Sequence, residues 1–171
     1  GGSDGLYKLC RNAKGEIYFK TINKTIGLPK GTVRSINEDA EGRLIIGAGM
    51  GLFLLEKNNE SYKVKLIRRG FFNVVAINEN HIWAGTDNGL LYFDSTIKGQ
   101  IPEFKGRFVY NPRNPNSLSK NIVKSLIIDY TGIVWVGTNG GGVNKFDPGR
   151  KKFTHVKETL DSTSISYDKI R

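Results

Sequence analysis

A glycine-rich segment, residues 137–142, is the stretch of this chain whose residue types most suggest chemistry. It reads Gly-Thr-Asn-Gly-Gly-Gly, a composition that could wrap phosphate groups. A phosphate-binding loop also needs a lysine and a following helix, whereas short apolar, β-rich stretches flank this segment on both sides. The glycines therefore predict a tight turn between two strands and no phosphate site.

His81 and His155 are the only two histidines, and histidine is the most frequent general base in enzymes. The strand pattern places His81 in a hairpin and His155 on an outer strand, in different repeats and at opposite ends of the sheets. Two bases so placed do not converge on one substrate, and each is expected at the surface. We expect no catalytic residue in this chain.

Candidate metal ligands are equally scattered along the chain. Asp94, Asp129 and Asp147 each end a predicted strand at a turn, where a short carboxylate bonds the backbone. Cys10 is the only cysteine, which excludes an intrachain disulfide and a cysteine-based zinc site. The sequence therefore predicts no metal and no other cofactor.

The strands that must position these residues form a unit that is clearest in residues 122–147. This segment reads as three short, β-branched strands separated by turns at 130–132 and 138–142. Residues 152–156 then alternate between apolar and polar side chains, as a half-exposed fourth strand does. The unit is therefore predicted to be a four-stranded antiparallel meander.

The same unit recurs twice in weaker form. Residues 47–56 and 85–94 align with the end of the clearest copy through the glycines that close the second strand and open the third. In this alignment Ile45, Trp83 and Trp135 occupy one second-strand position. Both tryptophans are therefore expected to pack between repeats and not to form a sugar-stacking platform.

Four short strands per unit, repeated at irregular intervals of about 40 to 50 residues, are typical of propeller blades. The prediction is an all-β fold, a partial β-propeller of four-stranded antiparallel blades with about three full blades and terminal partial blades. Since a propeller normally closes with at least four blades, we expect a larger parent protein. The predicted boundaries are a partial blade at 1–23, blades at 32–67, 71–110 and 121–157, and the start of a further blade at 162–171.

The net charge of +10 favours anionic partners. The 26 lysines and arginines are scattered through every repeat, often alternating with apolar residues, which is typical of solvated outer strands. We therefore expect no direct binding of nucleic acid. No apolar run reaches the length of a membrane helix, and the start of the sequence is too polar for a signal peptide, so a targeting segment is expected upstream.

The clearest repeat also carries a family resemblance. Its lead-in 116–119, its second strand with turn at 132–138 and the run 140–147 resemble the two-component regulator propeller repeat. That resemblance implies the periplasmic sensor region of a membrane-anchored hybrid two-component histidine kinase, of the kind found in gut Bacteroidetes. It also implies recognition of glycans. The kinase, receiver and DNA-binding parts of such systems are not in this sequence.

The leading functional hypothesis is therefore a sensing module that binds an oligosaccharide through loops between second and third strands and between blades. A protein-interaction scaffold is the alternative, and a propeller lyase is the least favoured reading. The predicted site is rich in cations and amides, which suits an acidic or sulfated sugar. It consists of Lys30, Arg68, Arg69, Asp87, Asn88, Arg113, Lys120 and Asn139.

Strand edges and apolar blade faces left open by a partial propeller also favour self-association. We expect a homo-oligomer, in its simplest form a two-fold pair. In such a pair, residues 165–170 of one copy would lie beside the hairpin 4–19 of the other.

Overall fold

A computed structural model of the protein describes residues 2–59, 61–96, 100–156 and 168–170. The fold is all-β, as predicted: the described residues form fourteen strands and one short helix. The strands make one hairpin and three four-stranded antiparallel sheets, each in meander order. The chain divides into two compact units, residues 1–72 and 73–171.

The first unit contains the hairpin and the first four-stranded sheet, which we call blade I. Its strands follow chain order, and blade I pairs β3-β4-β5-β6. Apolar residues alternate with charged ones on the outer strand β6, as a solvated rim strand requires. The elements are β1 (Tyr7–Arg11), β2 (Ile17–Thr21), α1 (Asn23–Ile26), β3 (Val33–Glu38), β4 (Leu44–Ala48), β5 (Gly51–Asn58) and β6 (Ser61–Arg69).

The helix α1 was not expected, since the sequence pattern predicts only a connection over residues 24–31. One turn of helix is too short to show a helical period in the sequence. It is held by Asn23, which is buried: its Oδ1 accepts the N–H of Leu6 at 2.6 Å and its Nδ2 donates to the carbonyl of Pro29 at 3.1 Å. A left-handed Gly27 (φ 74°) ends the helix.

The second unit contains two further sheets, which we call blade II and blade III. Blade II pairs β7-β8-β9-β10 and blade III pairs β11-β12-β13-β14. The strands are β7 (Phe72–Asn78), β8 (His81–Thr86), β9 (Gly89–Asp94), β10 (Glu103–Phe108), β11 (Val123–Ile128), β12 (Val134–Thr138), β13 (Gly142–Asp147) and β14 (Lys152–Val156).

One predicted strand is displaced. The sequence pattern predicts the outer strand of blade II at about residues 106–110, whereas β10 spans Glu103–Phe108. Two contacts explain the shift: Phe104 pairs with Phe93 on β9, and the backbone N–H of Tyr110, beyond the end of β10, donates to Asn121 Oδ1 at 2.7 Å.

Blades II and III share one apolar core. Trp83 of blade II packs edge-on against Phe146 of blade III with ring centroids 5.3 Å apart, and Val123 lies against the backbone of Gly85. A Cβ on Gly85 would approach Val123 Cγ1 to 2.5 Å, so only glycine allows this close approach. Trp83 therefore packs between blades, as predicted.

The described part of the last segment repeats this arrangement. Asp168 accepts a backbone hydrogen bond from Gly142 at 2.7 Å, as Asn121 does from Gly89 at 2.8 Å, and Ile170 lies over Gly137 as Val123 lies over Gly85. The predicted start of a further blade at 162–171 falls mostly outside the described residues and stays a prediction.

Candidate functional site

A cleft of about 550 Å³ lies between blades II and III in the second unit. It lies at the strand ends that carry the first-to-second and third-to-fourth strand turns. Blade II contributes its face toward blade III, and blade III contributes the end of β13 and two turns. The lining residues are Asn78, His81, Trp83, Tyr92, Asp94, Lys105, Gly106, Phe108, Thr131, Gly132, Ile133, Phe146, Asp147, Pro148, Gly149 and Lys151.

The inner wall of the cleft is aromatic. Trp83 stands 4.6 Å from the ring of Tyr92, and Phe108 stands 4.8 Å from Phe146, measured between ring centroids. Trp83 and Phe146 are only 4% and 1% exposed, because neighbouring rings cover their faces. The wall thus offers apolar contact, although its two most buried rings present no open face for stacking.

A β-bulge in β10 shapes the outer part of the cleft. Phe104 pairs with Phe93 and Gly106 pairs with Tyr92, so Lys105 is the extra residue of the bulged strand. Bulges re-aim side chains, and here Lys105 joins the cleft lining. Gly106 faces open space, since a Cβ built there would meet no other atom within 4 Å.

The blade III side of the cleft is a tight turn after β13. Asp147 Oδ1 accepts the backbone N–H of Gly149 at 2.9 Å and that of Arg150 at 3.3 Å. Lys151 follows in a left-handed conformation (φ 54°) that non-glycine residues seldom adopt. The turn thereby brings a carboxylate and an ammonium group to the same rim.

Charges on the rim interact with each other and with the wall. Hydrogen bonds from the backbone and side chain of Thr96 lower the pKa of Asp94, and the positive charge of Lys105 lowers it further. Burial raises the pKa of Tyr92, and the nearby Asp94 charge adds to that rise. At neutral pH the rim therefore carries an ionised Asp94 beside a neutral phenol.

The opposite ends of the same blades carry the predicted ligand residues of the second unit. Asp87 and Asn88 form the turn between β8 and β9, and Asn139 lies in the turn between β12 and β13. Lys120 lies between these two turns: its neighbour Asn121 accepts from Gly89, and a Cβ on Gly141 would come within 2.7 Å of Lys120 Cγ. The structure thus brings four of the eight predicted residues to one end of the second unit.

Asp87 and Lys120 each have partners there. Asp87 Oδ1 accepts from Asn73 Nδ2 at 2.8 Å and from Lys124 Nζ at 3.3 Å. The ammonium of Lys120 lies 5.3 Å from the ring centroid of Tyr110, a cation–π contact. Arg113 lies on the exposed crossing loop between β10 and β11, where its backbone N–H bonds Asn111 Oδ1 at 3.0 Å.

The other three predicted residues lie in the first unit. Arg68 and Arg69 end β6, and Lys30 precedes β3. Arg69 lines a cavity of about 250 Å³ together with Pro29 and Met50. Nearby, the guanidinium of Arg34 stacks 4.5 Å over the exposed ring of Phe71.

The remaining candidate residues each have a hydrogen-bond partner within the second unit. His155 bonds the carbonyl of Ser117 at 2.7 Å. Trp135 is half-buried, with its Nε1 donating to Asp129 Oδ2 at 2.8 Å and Lys145 lying 5.7 Å from its ring. Hydrogen bonds from the Thr131 hydroxyl and from Trp135 lower the pKa of Asp129 to about 2. Asp129 therefore organises a turn, as predicted for the strand-end aspartates.

Within the described ranges, no group of three or more His, Cys, Asp or Glu side chains could hold a metal ion. The described part of the chain also contains no helix long and apolar enough to span a membrane.

Comparison with known proteins bears on the lead-in and first half of blade III. Residues 117–140 match the family model described as the two component regulator propeller. This segment is similar to a two component regulator propeller repeat. It begins at Ser117, includes β11 and β12 and ends in the turn before β13, so the recognised repeat is the one that the sequence pattern shows most clearly. No curated protein sequence matches the chain significantly.

Solved structures extend the similarity over more of the chain. The extracellular domain of BT3049 from B. thetaiotaomicron, described as a hybrid two component system, is 27% identical over 72% of this chain, with a TM-score of 0.56. Two structures of the BT4673 extracellular domain from the same organism, at 20% and 18% identity, cover 91% of this chain with TM-scores of 0.70 and 0.68 and support the fold alone. The chain spans 18% of the BT3049 domain and 23% of the BT4673 domain.

The cleft was not predicted from the sequence. Among its aromatic residues only Trp83 is identified from the sequence, as a residue that packs between repeats, and the pattern does not show that two blades would leave a space between them. One local signal was present: Lys105-Gly106 interrupts an outer strand, and a glycine within a strand often marks a bulge.

Proposed function

We propose that this chain is part of the periplasmic sensor region of a membrane-anchored hybrid two-component system and acts by binding a ligand, without catalysis. The observation that carries the proposal is the regulator-propeller repeat at residues 117–140, in a chain that is similar to an extracellular domain of such a system. The similar structures are extracellular domains only, so signalling by the parent protein is part of the proposal.

We further propose that the ligand is an oligosaccharide, in particular an acidic or sulfated one. The candidate contacts in the second unit are Asp87, Asn88, Arg113, Lys120 and Asn139, and those in the first are Lys30, Arg68 and Arg69. Lys120 supports this choice best, because it lies between two turns whose side chains are amides and a carboxylate. Cations and amides together can bind both the charge and the hydroxyl groups of such a sugar.

Calorimetry against neutral, uronic and sulfated oligosaccharides tests the proposal. The 171-residue chain is expected to bind a sulfated or uronic member of the panel. Lys120→Ala and Arg113→Ala are each expected to weaken binding about tenfold, the size of a lost charged hydrogen bond. Lys145→Ala is the matched control, since it removes one lysine that lies over Trp135 on another surface. Equal binding by all these variants, or no binding of any sugar, contradicts the site.

We also propose that the isolated chain self-associates through open strand edges. The hairpin β1–β2 supports this, because Leu9, Ile17 and Phe19 are 52%, 55% and 69% exposed. Apolar area of this kind contributes about 25 cal/mol per Å² when it is buried. Light scattering over a concentration series should show a mass above 19.1 kDa, and a constant mass of one chain would refute the association.

A further inference from the structure

The cleft between blades II and III is a built opening and not a packing defect. Its volume of about 550 Å³ lies within the range of about 300–1,000 Å³ found for small-molecule sites. The bulge at Lys105 and the glycine at 106 keep its outer part open. Beside it, the rings of Trp83, Phe108 and Phe146 contact one another, with centroids 4.8 to 6.1 Å apart.

The chemistry of the lining divides by depth. The inner wall is apolar and is formed by Trp83, Phe108 and Phe146, with Tyr92 at its edge. Because the Trp83 and Phe146 rings are covered by neighbours, the wall suits an apolar body better than the flat face of a sugar ring. The inner part of the cleft therefore favours an aliphatic or aromatic group.

The rim carries both signs of charge. Asp94 and Asp147 are held in place by the turns that they cap, which orients their carboxylates before any ligand arrives. Lys105 is brought to this rim by a bulge and Lys151 by a left-handed backbone conformation. Lys105 Nζ already bonds Glu103 Oε2 at 2.7 Å, but an ammonium group has three donors and can bond a ligand as well. A ligand that suits such a rim carries one positive and one negative group close together.

We infer that this cleft binds a small zwitterion with an apolar body, of the class of free α-amino acids with aliphatic or aromatic side chains. The side chain packs on the aromatic wall, the ammonium group bonds Asp94, and the carboxylate bonds Lys105 or Lys151. A carboxylate has about four acceptor positions, so Asp94 can bond an ammonium group in addition to Thr96. The inference does not rest on the proposed function, since the cleft and the candidate sugar residues of the second unit lie at opposite ends of the blades.

Ligand analogues test the two charged contacts separately. Calorimetry of the 171-residue chain should detect L-phenylalanine or L-leucine, while N-acetyl-L-phenylalanine and L-phenylalanine amide should each bind at least tenfold more weakly. The first analogue lacks the ammonium group and the second lacks the carboxylate. Equal binding of either analogue, or no binding of both amino acids, overturns the inference.

Two variants locate the site. Gly106→Leu should abolish binding, because its side chain enters the open part of the cleft without displacing other atoms. Asp94→Asn should reduce affinity at least tenfold and keeps the test valid if the leucine variant does not fold. Lys145→Ala, a lysine outside the cleft lining, should bind as the unmodified chain does. Unchanged affinity in Gly106→Leu or Asp94→Asn would refute the assignment.

Fluorescence provides an independent readout. Trp83 and Trp135 are the only two tryptophans, so Trp135→Phe leaves Trp83, at the cleft wall, as the single reporter. L-leucine should change the emission of this variant, whereas sulfated sugars should not. A response to sulfated sugar that Gly106→Leu removes would assign the cleft to sugar and reject the amino acid. Loss of sugar binding in Lys120→Ala with amino acid binding retained would separate the two sites.

Discussion

The two ends of blades II and III differ in how the space between the blades is filled. At the end that carries Lys120, the connecting chain crosses from one blade to the next and bonds both second-to-third strand turns through Asn121 and Ile122. At the other end the turns belong to one blade each, and a cleft remains. A four-stranded meander enters and leaves at the same end, so the connecting chain can fill only that end.

The difference shows which end of these blades is held by contacts with the connecting chain and which end is not. Val123 lies directly on the backbone of Gly85 at the filled end, and Ser119 bonds both Asn144 and Thr138 in a buried network. At the open end, Lys105 lies in a β-bulge and Lys151 has a left-handed backbone conformation. We therefore expect substitutions of buried residues at the filled end to affect stability, and substitutions of the cleft rim to affect binding at the cleft.

The largest effect is expected at Phe146, which belongs to the apolar core shared by blades II and III and lines the inner wall of the cleft. Phe146→Ala should lower the free energy of unfolding by about 3–5 kcal/mol, because it leaves a cavity among Trp83, Phe108 and Phe153. Urea unfolding followed by tryptophan emission measures it, since both tryptophans lie in the second unit. Phe104→Ala is the control: its ring is 40% exposed and should cost about 1 kcal/mol. Equal losses of unfolding free energy in the two variants would contradict the role of Phe146 in the shared core.

Two glycines compare the ends directly. Gly85→Ala should destabilise by about 1–3 kcal/mol, because its Cβ would come within 2.5 Å of Val123 and 2.7 Å of Val74. Gly106→Ala should change stability by no more than about 0.5 kcal/mol, because its Cβ would enter open space. The same unfolding assay applies to both. A cost at Gly106 equal to that at Gly85 would mean that the cleft end is as tightly filled as the other.

The smallest effect is a pH dependence at Asp129, in the turn of blade III on the cleft side. Its pKa of about 2 in the folded protein lies below the ordinary value of 3.8, so the folded state binds the proton less readily than the unfolded state. The resulting stabilisation is present above about pH 4 and is lost as the pH falls toward 2. Asp129→Asn should therefore lose less stability than the unmodified chain between pH 5 and pH 2. If the free energies of unfolding of the two proteins fell equally with pH, the Asp129 carboxylate would contribute no pH-dependent stability.

The sequence alone determined the repeated architecture. The pattern predicts strands at about residues 33–38 and at 152–156, where β3 and β14 lie, and the turn predicted at 130–132 forms, because alternation and turn residues are local properties. Blade III, where the pattern is strongest, is also where the family model matches. The expected position of Trp83 followed from the register of the repeats.

Only the tertiary structure determined the space between the repeats. The bulge at Lys105 displaced β10 from its predicted position. The short helix α1 depends on hydrogen bonds from Asn23 to Leu6 and Pro29, which no repeating sequence pattern indicates. The cleft exists because two sheets meet at one end through the connecting chain and at the other only through side chains. Such a space depends on the distance between two surfaces, and no residue in the sequence encodes that distance by its own type or spacing.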